Sequence, residues 1–215
     1  MVIYFKTIYV ICVIFILFCI INLYKKTCKY FGEYIVKKNK KILLKYFNES
    51  VDLFSRCENL VWWIDYGTLL GWYRNNDIIP MDNDVDFSFM EDDVEKVKKQ
   101  IKNIDKKFNF YDTTKKHLNY KFGLNGIGMN CDYYSYQTVY KNGKKYLMGC
   151  LSEKYVGTKG GRDVPYDYIF PLRKVSFLGR DVFVPNKPLI YLENRYGYIG
   201  KDYILDDVTM HYSKK

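Results

Sequence analysis

The sequence predicts a mixed α/β domain built on one central sheet and preceded by one N-terminal transmembrane helix. Three observations carry this. Apolar residues run almost unbroken through the first 24 positions. Beyond them, segments with helical and strand periodicity alternate along the chain. A small-residue turn and a set of alternating acids then fall within one 21-residue stretch, YGTLLGWYRNNDIIPMDNDVD (Tyr66–Asp86).

Ile8–Ile21 is apolar apart from the Tyr9 hydroxyl, and Val2–Phe5 and Leu23–Tyr24 extend the run. With about 20 residues needed to cross a bilayer, residues 1–24 are expected to form an uncleaved single-pass anchor, with Lys6 at one interface. A cleaved signal peptide is the rival, but Ile20–Asn22 and Lys25–Thr27 offer a poor small-residue cleavage site. Residues 25–59 read as a helical stem, in which Leu43, Tyr46, Phe47, Phe54 and Cys57 recur at helical spacing. Residues 60–215 form the folded domain. Val61–Asp65 reads as a buried strand, Thr68–Tyr73 as a short helix, Val85–Met90 as a strand and Asp92–Lys106 as a charged helix with Val94, Val97, Ile101 and Ile104 facing inward. Strand character returns in Tyr120–Tyr140, and Lys141-Asn142-Gly143-Lys144 signals a hairpin into Tyr146–Leu151. Gly157–Pro165 is a loop. Val175–Phe177 and Val182–Val184 flank a second hairpin turn at Leu178-Gly179-Arg180. Asn186–Tyr196 is a helix with Pro188 early and Gly197 as its stop.

Composition narrows the function classes. An apolar fraction of 48% and an aromatic fraction of 19% argue for a folded core. A net charge of +10 suits anionic partners. The basic residues are scattered and no aromatic–basic motif is present, so nucleic acid is not an expected partner. None of the six cysteines has CxxC spacing, which argues against a zinc site. Whether Cys57, Cys131 and Cys150 include a disulfide stays open. His117 and His211 lie in no motif, and Gly160-Gly161-Arg162 is a lone glycine loop.

The chemistry concentrates in Tyr66–Asp86. Side chains alternate along a strand, so Asp84 and Asp86 share one face while Val85, Phe87 and Phe89 enter the core. Asp82 has the same parity but sits near Pro80, in the loop. Two carboxylates on one face repel unless a cation offsets them, and hard oxygen ligands suit magnesium or manganese. A solvated acidic turn is the structural alternative. An EF-hand is excluded by Phe87 where glycine is needed and Asp93 where glutamate is needed. Upstream, Gly67 allows close backbone approach and Thr68 can cap a helix, a pairing that suits a phosphate. Arg74, about two turns on, can reach the same phosphate. Asp132, in a largely aromatic strand, is the candidate third acid, with turn capping as its structural alternative. A turn that holds phosphate followed by acids that hold a metal is a combination found in nucleotidyltransferases.

The stretch YGTLLGWYR…IIPMDNDVDF resembles the LicD/fukutin family, whose usual pattern is GTLLG-x-x-R followed by P-W-D-x-D-x-D; Met81 stands where Trp is usual. The segment Ile169–Arg180 is similar to the family's FPL…V-x-F-x-G block, and Val184-Pro185 with Tyr191–Gly197 is similar to its V-P…YL…RYG ending. The resemblance spans roughly residues 60–200 and implies a nucleotidyltransferase-like fold. It further implies metal-dependent transfer of a phospho-alcohol, such as phosphocholine or ribitol phosphate, from a CDP-activated donor to a glycan hydroxyl, releasing CMP. Asp84, Asp86 and Asp132 would then be the catalytic and metal-holding residues, with Tyr66, Gly67, Thr68 and Arg74 on the donor. Relatives that are anchored face the Golgi or ER lumen and bacterial relatives work in the cytosol. A lumenal body is expected here, although the lysines after the span favour the cytosol. The rivals are a DxD glycosyltransferase using a nucleotide sugar, and a non-catalytic member that binds a glycan or a partner.

Overall fold

The computed structural model describes residues 2–80, 82–101, 109–112, 121–125, 129–149, 163–206 and 211–215. Met81, His117, Cys150, Arg162, the 157–162 part of the expected loop and the 102–106 part of the expected charged helix lie outside these residues. The chain divides into two compact units, Met1–Asn39 and Lys40–Lys215.

One helix, α1 (Val2–Ser55), begins in the first unit and ends in the second. The expectation for its start is corrected. Among the described residues no helix is long and apolar enough to cross a membrane, so neither the N-terminal transmembrane helix nor a single-pass membrane localisation is supported. The strictly apolar part of the run is short. The unbroken apolar run Ile8–Ile21 covers 14 residues between Lys6-Thr7 and Asn22. At the helical rise it spans about 21 Å, against roughly 30 Å of hydrocarbon.

In the second unit α1 is amphipathic. Leu43, Tyr46, Phe47, Ser50, Val51 and Phe54 recur every three or four residues and all are buried. They cover a sheet whose order is β1 (Trp62–Ile64), β2 (Asp84–Met90), β5 (Asn130–Lys141), β4 (Lys121–Asn125) and β3 (Asn109–Asp112). β6 (Lys144–Gly149) pairs with β5, and β7 (Val164–Pro165) pairs with β6. β2 and β5 are parallel; β1, β4 and β6 run antiparallel to their neighbours. The β5–β6 turn uses Asn142 and Gly143 at φ 50° and 72°, the left-handed pair that a two-residue hairpin requires. β8 (Arg173–Phe177) and β9 (Arg180–Val184) form a separate hairpin, as do β10 (Tyr203–Asp206) and β11 (His211–Lys214). The sheet is therefore accompanied by two small hairpins rather than standing alone.

The two faces of β2 and β5 have different chemistry. Phe87 and Tyr133 are paired in register and lie under α1, with Phe54 at 5.2 and 5.3 Å from their ring centres. Ser50 adds hydrogen bonds to Tyr133 (2.8 Å) and Cys131 (3.0 Å). The opposite face carries Asp86, Ser88, Asp132, Tyr134 and Tyr136. The helices α2 (Tyr66–Asn75) and α5 (Pro188–Tyr196) pack together, and the Gly67 N–H and Thr68 hydroxyl of α2 and side chains of α5 reach this face. The remaining helices are short: α3 (Val94–Ile101), preceded by a 3-10 turn, and α4 (Tyr166–Ile169). α2 starts two residues before the expected Thr68, because the Asp65 carboxylate caps it by accepting the Tyr66 N–H at 2.8 Å. It ends at Asn76, whose left-handed φ of 52° aims its N–H back at the Gly71 and Trp72 carbonyls.

Candidate metal and transfer site

Asp84 and Asp86 open β2 and Asp132 lies on β5. In the parallel register Asp84 faces Asn130 and Asp86 faces Asp132. Registered residues of parallel strands share a face, so the three carboxylates converge, with one ligand atom from each within 4.8 Å of the others. Asp84 is half-buried, whereas Asp86 and Asp132 are 3% and 5% exposed. At such separations each ionised pair repels by about 3–4 kcal/mol at an effective dielectric of 20. Burial accordingly pushes the Asp86 carboxyl well above the usual range, and the neighbouring carboxylates of Asp84, Asp132, Asp82 and Asp65 push it further. Asp82 lies in the loop, outside β2; burial raises its carboxyl too. The donor set is all hard oxygen and fits magnesium or manganese.

The turn is folded onto these acids. The Gly67 N–H donates to Asp86 Oδ2 at 3.0 Å. The Asp86 N–H donates to Thr68 Oγ1 at 2.8 Å, so Thr68 pins the strand rather than capping a helix. A Cβ at Gly67 would stand 3.2 Å from Asp82 Oδ2 and 3.4 Å from Asp86 Oδ2. Gly67 thus brings the backbone of the turn close to the acids. Arg74 points to the C-terminal segment: its Nε donates to the Ile199 carbonyl at 2.9 Å and its guanidinium lies 4.1 Å from the Tyr203 ring centre.

Two phenols hold the third acid. Tyr134 donates to Asp132 Oδ2 at 3.0 Å, and Tyr111 donates to Oδ1. Tyr111 comes from β3, one strand removed. Register places it beside Gly123 on β4, and Gly123 beside Asp132.

A further buried cluster lies alongside. Asp65, fully buried at the end of β1, accepts from Ser88 Oγ at 2.7 Å, Tyr136 OH at 3.1 Å and Tyr191 OH at 2.5 Å. Arg195 Nη2 donates to both phenols, at 2.9 Å to Tyr136 and 2.7 Å to Tyr191. Its guanidinium sits 3.9 Å from the Tyr66 ring centre, and Tyr66 in turn packs on Tyr134 at 4.5 Å.

The structure therefore brings Tyr66, Gly67, Thr68, Asp84, Asp86 and Asp132 together and directs Arg74 elsewhere. Sequence reasoning missed Asp65, Tyr111, Tyr134, Tyr136, Tyr191 and Arg195. One signal was available: Tyr191 and Arg195 are four apart on α5 and so share a helix face. An aspartate closing a fully apolar strand was a second.

Residues 59–187 match the family described as LicD/FKTN/FKRP, nucleotidyltransferase domain. Among solved structures, the chain is similar to the lincosamide antibiotic adenylyltransferase LnuA with lincomycin bound, at 14% identity over 77% of this chain and 90% of that one, with a TM-score of 0.44. No curated protein matches it. The matched segment contains the turn, Asp84, Asp86 and Asp132, and the family describes a transferase domain. The chain belongs to the LicD/FKTN/FKRP family.

Proposed function

We propose that the protein transfers a phospho-alcohol, such as phosphocholine or ribitol phosphate, from a CDP-activated donor to a glycan hydroxyl and releases CMP. The observation that carries this reading is the convergence of Asp84, Asp86 and Asp132 within 4.8 Å on two adjacent parallel strands, inside the family-matched segment. These three residues would hold a magnesium or manganese ion. Such a cation, when bound, neutralises charge on the donor diphosphate and on the departing CMP.

The chain's own groups divide the remaining work. Asp84, half-buried at the mouth of the cluster, meets the donor side. Asp86, fixed by the Gly67 N–H and through its own N–H by Thr68, cannot swing away. Asp132 is oriented by the Tyr111 and Tyr134 hydroxyls, which fix its carboxylate plane for the acceptor-side role, drawing the proton from the attacking hydroxyl. Tyr66, half-buried at the start of the turn, would meet the donor.

The test is a donor screen. Full-length protein with magnesium is offered CDP-choline, CDP-ribitol, CDP-glycerol and nucleotide sugars, with glycan acceptors, and the released nucleotide is identified. CMP, lost in an Asp84→Asn, Asp86→Asn double variant, supports the reading. Release of UDP or GDP from a nucleotide sugar would replace it with a glycosyltransferase. Full biological activity in the double variant would replace it with a binding role.

A further inference from the structure

We infer that Arg195, on the C-terminal helix α5, is a positioning residue for the carboxylate cluster, acting through Tyr66. The inference rests on the reading of Asp84, Asp86 and Asp132 as a metal site. It starts from the backbone of Tyr66, which has a left-handed φ of 43°. For a residue with a bulky side chain this conformation costs on the order of 1–2 kcal/mol and persists only where its surroundings impose it. Three contacts do so here. Asp65 accepts the Tyr66 N–H, the Arg195 guanidinium lies over the ring at 3.9 Å, and Tyr134 packs on it at 4.5 Å.

The conformation of Tyr66 has two outlets. Its ψ side sets the plane of the next peptide, whose Gly67 N–H reaches Asp86 Oδ2. Its ring sets Tyr134, whose hydroxyl reaches Asp132 Oδ2. One residue thus bears on two of the three acids through its neighbours Gly67 and Tyr134. Arg195 is itself held in place, because Tyr136 and Tyr191 accept from it and both donate to Asp65. Asp65 and Arg195, both 4% exposed or less, form a buried opposite-charge pair bridged by two phenols. Lysine keeps the charge but lacks the planar fork that donates to two phenols while stacking on a third ring.

The experiment is a manganese titration of the full chain, followed by electron paramagnetic resonance of free Mn²⁺ with no nucleotide present. Wild type is compared with Arg195→Lys, Tyr191→Phe and, as a control for destabilisation, Phe177→Leu. Misplaced groups behind a metal ligand typically weaken binding 10–100-fold. Arg195→Lys is expected to lose about tenfold in Mn²⁺ affinity at a temperature where it is fully folded, and Tyr191→Phe to lose severalfold. Phe177→Leu, in the hairpin core, is expected to lower the melting temperature and leave affinity unchanged. Wild-type affinity in Tyr191→Phe and in folded Arg195→Lys overturns the inference and leaves the metal reading intact. If Arg195→Lys does not fold, Tyr191→Phe decides alone. No binding by wild type overturns the metal reading, and the Arg195 inference with it.

Discussion

Replacing Gly67 with alanine separates the stability of the fold from the geometry of the acids. Gly67 lies in the first turn of α2 at a φ that any residue adopts, so the backbone permits the change. Alanine is favoured over glycine in a helix by about 0.5–1 kcal/mol. Against this, the new Cβ would stand 3.2 Å from Asp82 Oδ2 and 3.4 Å from Asp86 Oδ2. Both neighbours are side-chain atoms: the Asp82 carboxylate has to retreat by a few tenths of an ångström, at a cost on the order of 1 kcal/mol, while Asp86 comes into ordinary contact. The two effects nearly cancel, and the melting temperature is expected to move by no more than about 2–4 °C. The change does matter for a metal, because the new methyl displaces the Asp82 carboxylate and crowds the Asp86 oxygen that accepts the Gly67 N–H. Mn²⁺ affinity is expected to fall about tenfold, or 1.4 kcal/mol. Calorimetric titration with Mn²⁺ and a thermal melt on the same sample would measure both. Unchanged affinity in a folded variant would refute the close approach of the turn to the acids. A stability loss above about 3 kcal/mol would refute the claim that only side chains stand in the way.

Acidity should act on the metal-free protein in a defined direction. The Asp86 carboxyl is raised above its unfolded value by burial and by its acidic neighbours, so its proton contributes stability below the ordinary carboxylate range. That contribution is lost as pH rises through the raised value. In chelator, denaturant midpoints from about pH 5 to pH 8 should fall more steeply for wild type than for Asp86→Asn, and parallel slopes would contradict the assigned repulsion. In the core, Phe54 meets Trp62, Phe87, Phe89 and Tyr133 at 5.2–6.3 Å. Phe54→Ala is expected to cost about 3–5 kcal/mol by urea denaturation, and a loss under about 1 kcal/mol would mean that α1 does not cover the sheet.

Much of the fold was legible because local rules decide it. Asn142-Gly143 and Leu178-Gly179 both form the hairpin turns that their sequences predict, with left-handed φ at each residue. The helical spacing of Leu43, Tyr46, Phe47 and Phe54 marked the face that is buried, and period-two alternation separated Asp84 and Asp86 from Phe87 and Phe89. Pairings between distant segments were less legible. The alignment of Asp86 with Asp132 is a property of the parallel β2–β5 register, which no local pattern encodes. Tyr111 meets Asp132 across two registers, through β4. Arg195 reads only as part of the YL…RYG ending until α5 is placed against Tyr66. The start of the chain was misread for a different reason. A run of apolar letters suggested a bilayer span, but among the described residues no helix is long and apolar enough to make one.

The account turns on whether Asp84, Asp86 and Asp132 jointly hold a divalent cation. A crystal of the full chain grown with manganese, with data collected for anomalous scattering, addresses this directly. The account predicts one strong anomalous peak between β2 and β5, at roughly 2.0–2.3 Å from a carboxylate oxygen of each of the three residues. A peak elsewhere, or none among these carboxylates at saturating manganese, would contradict it.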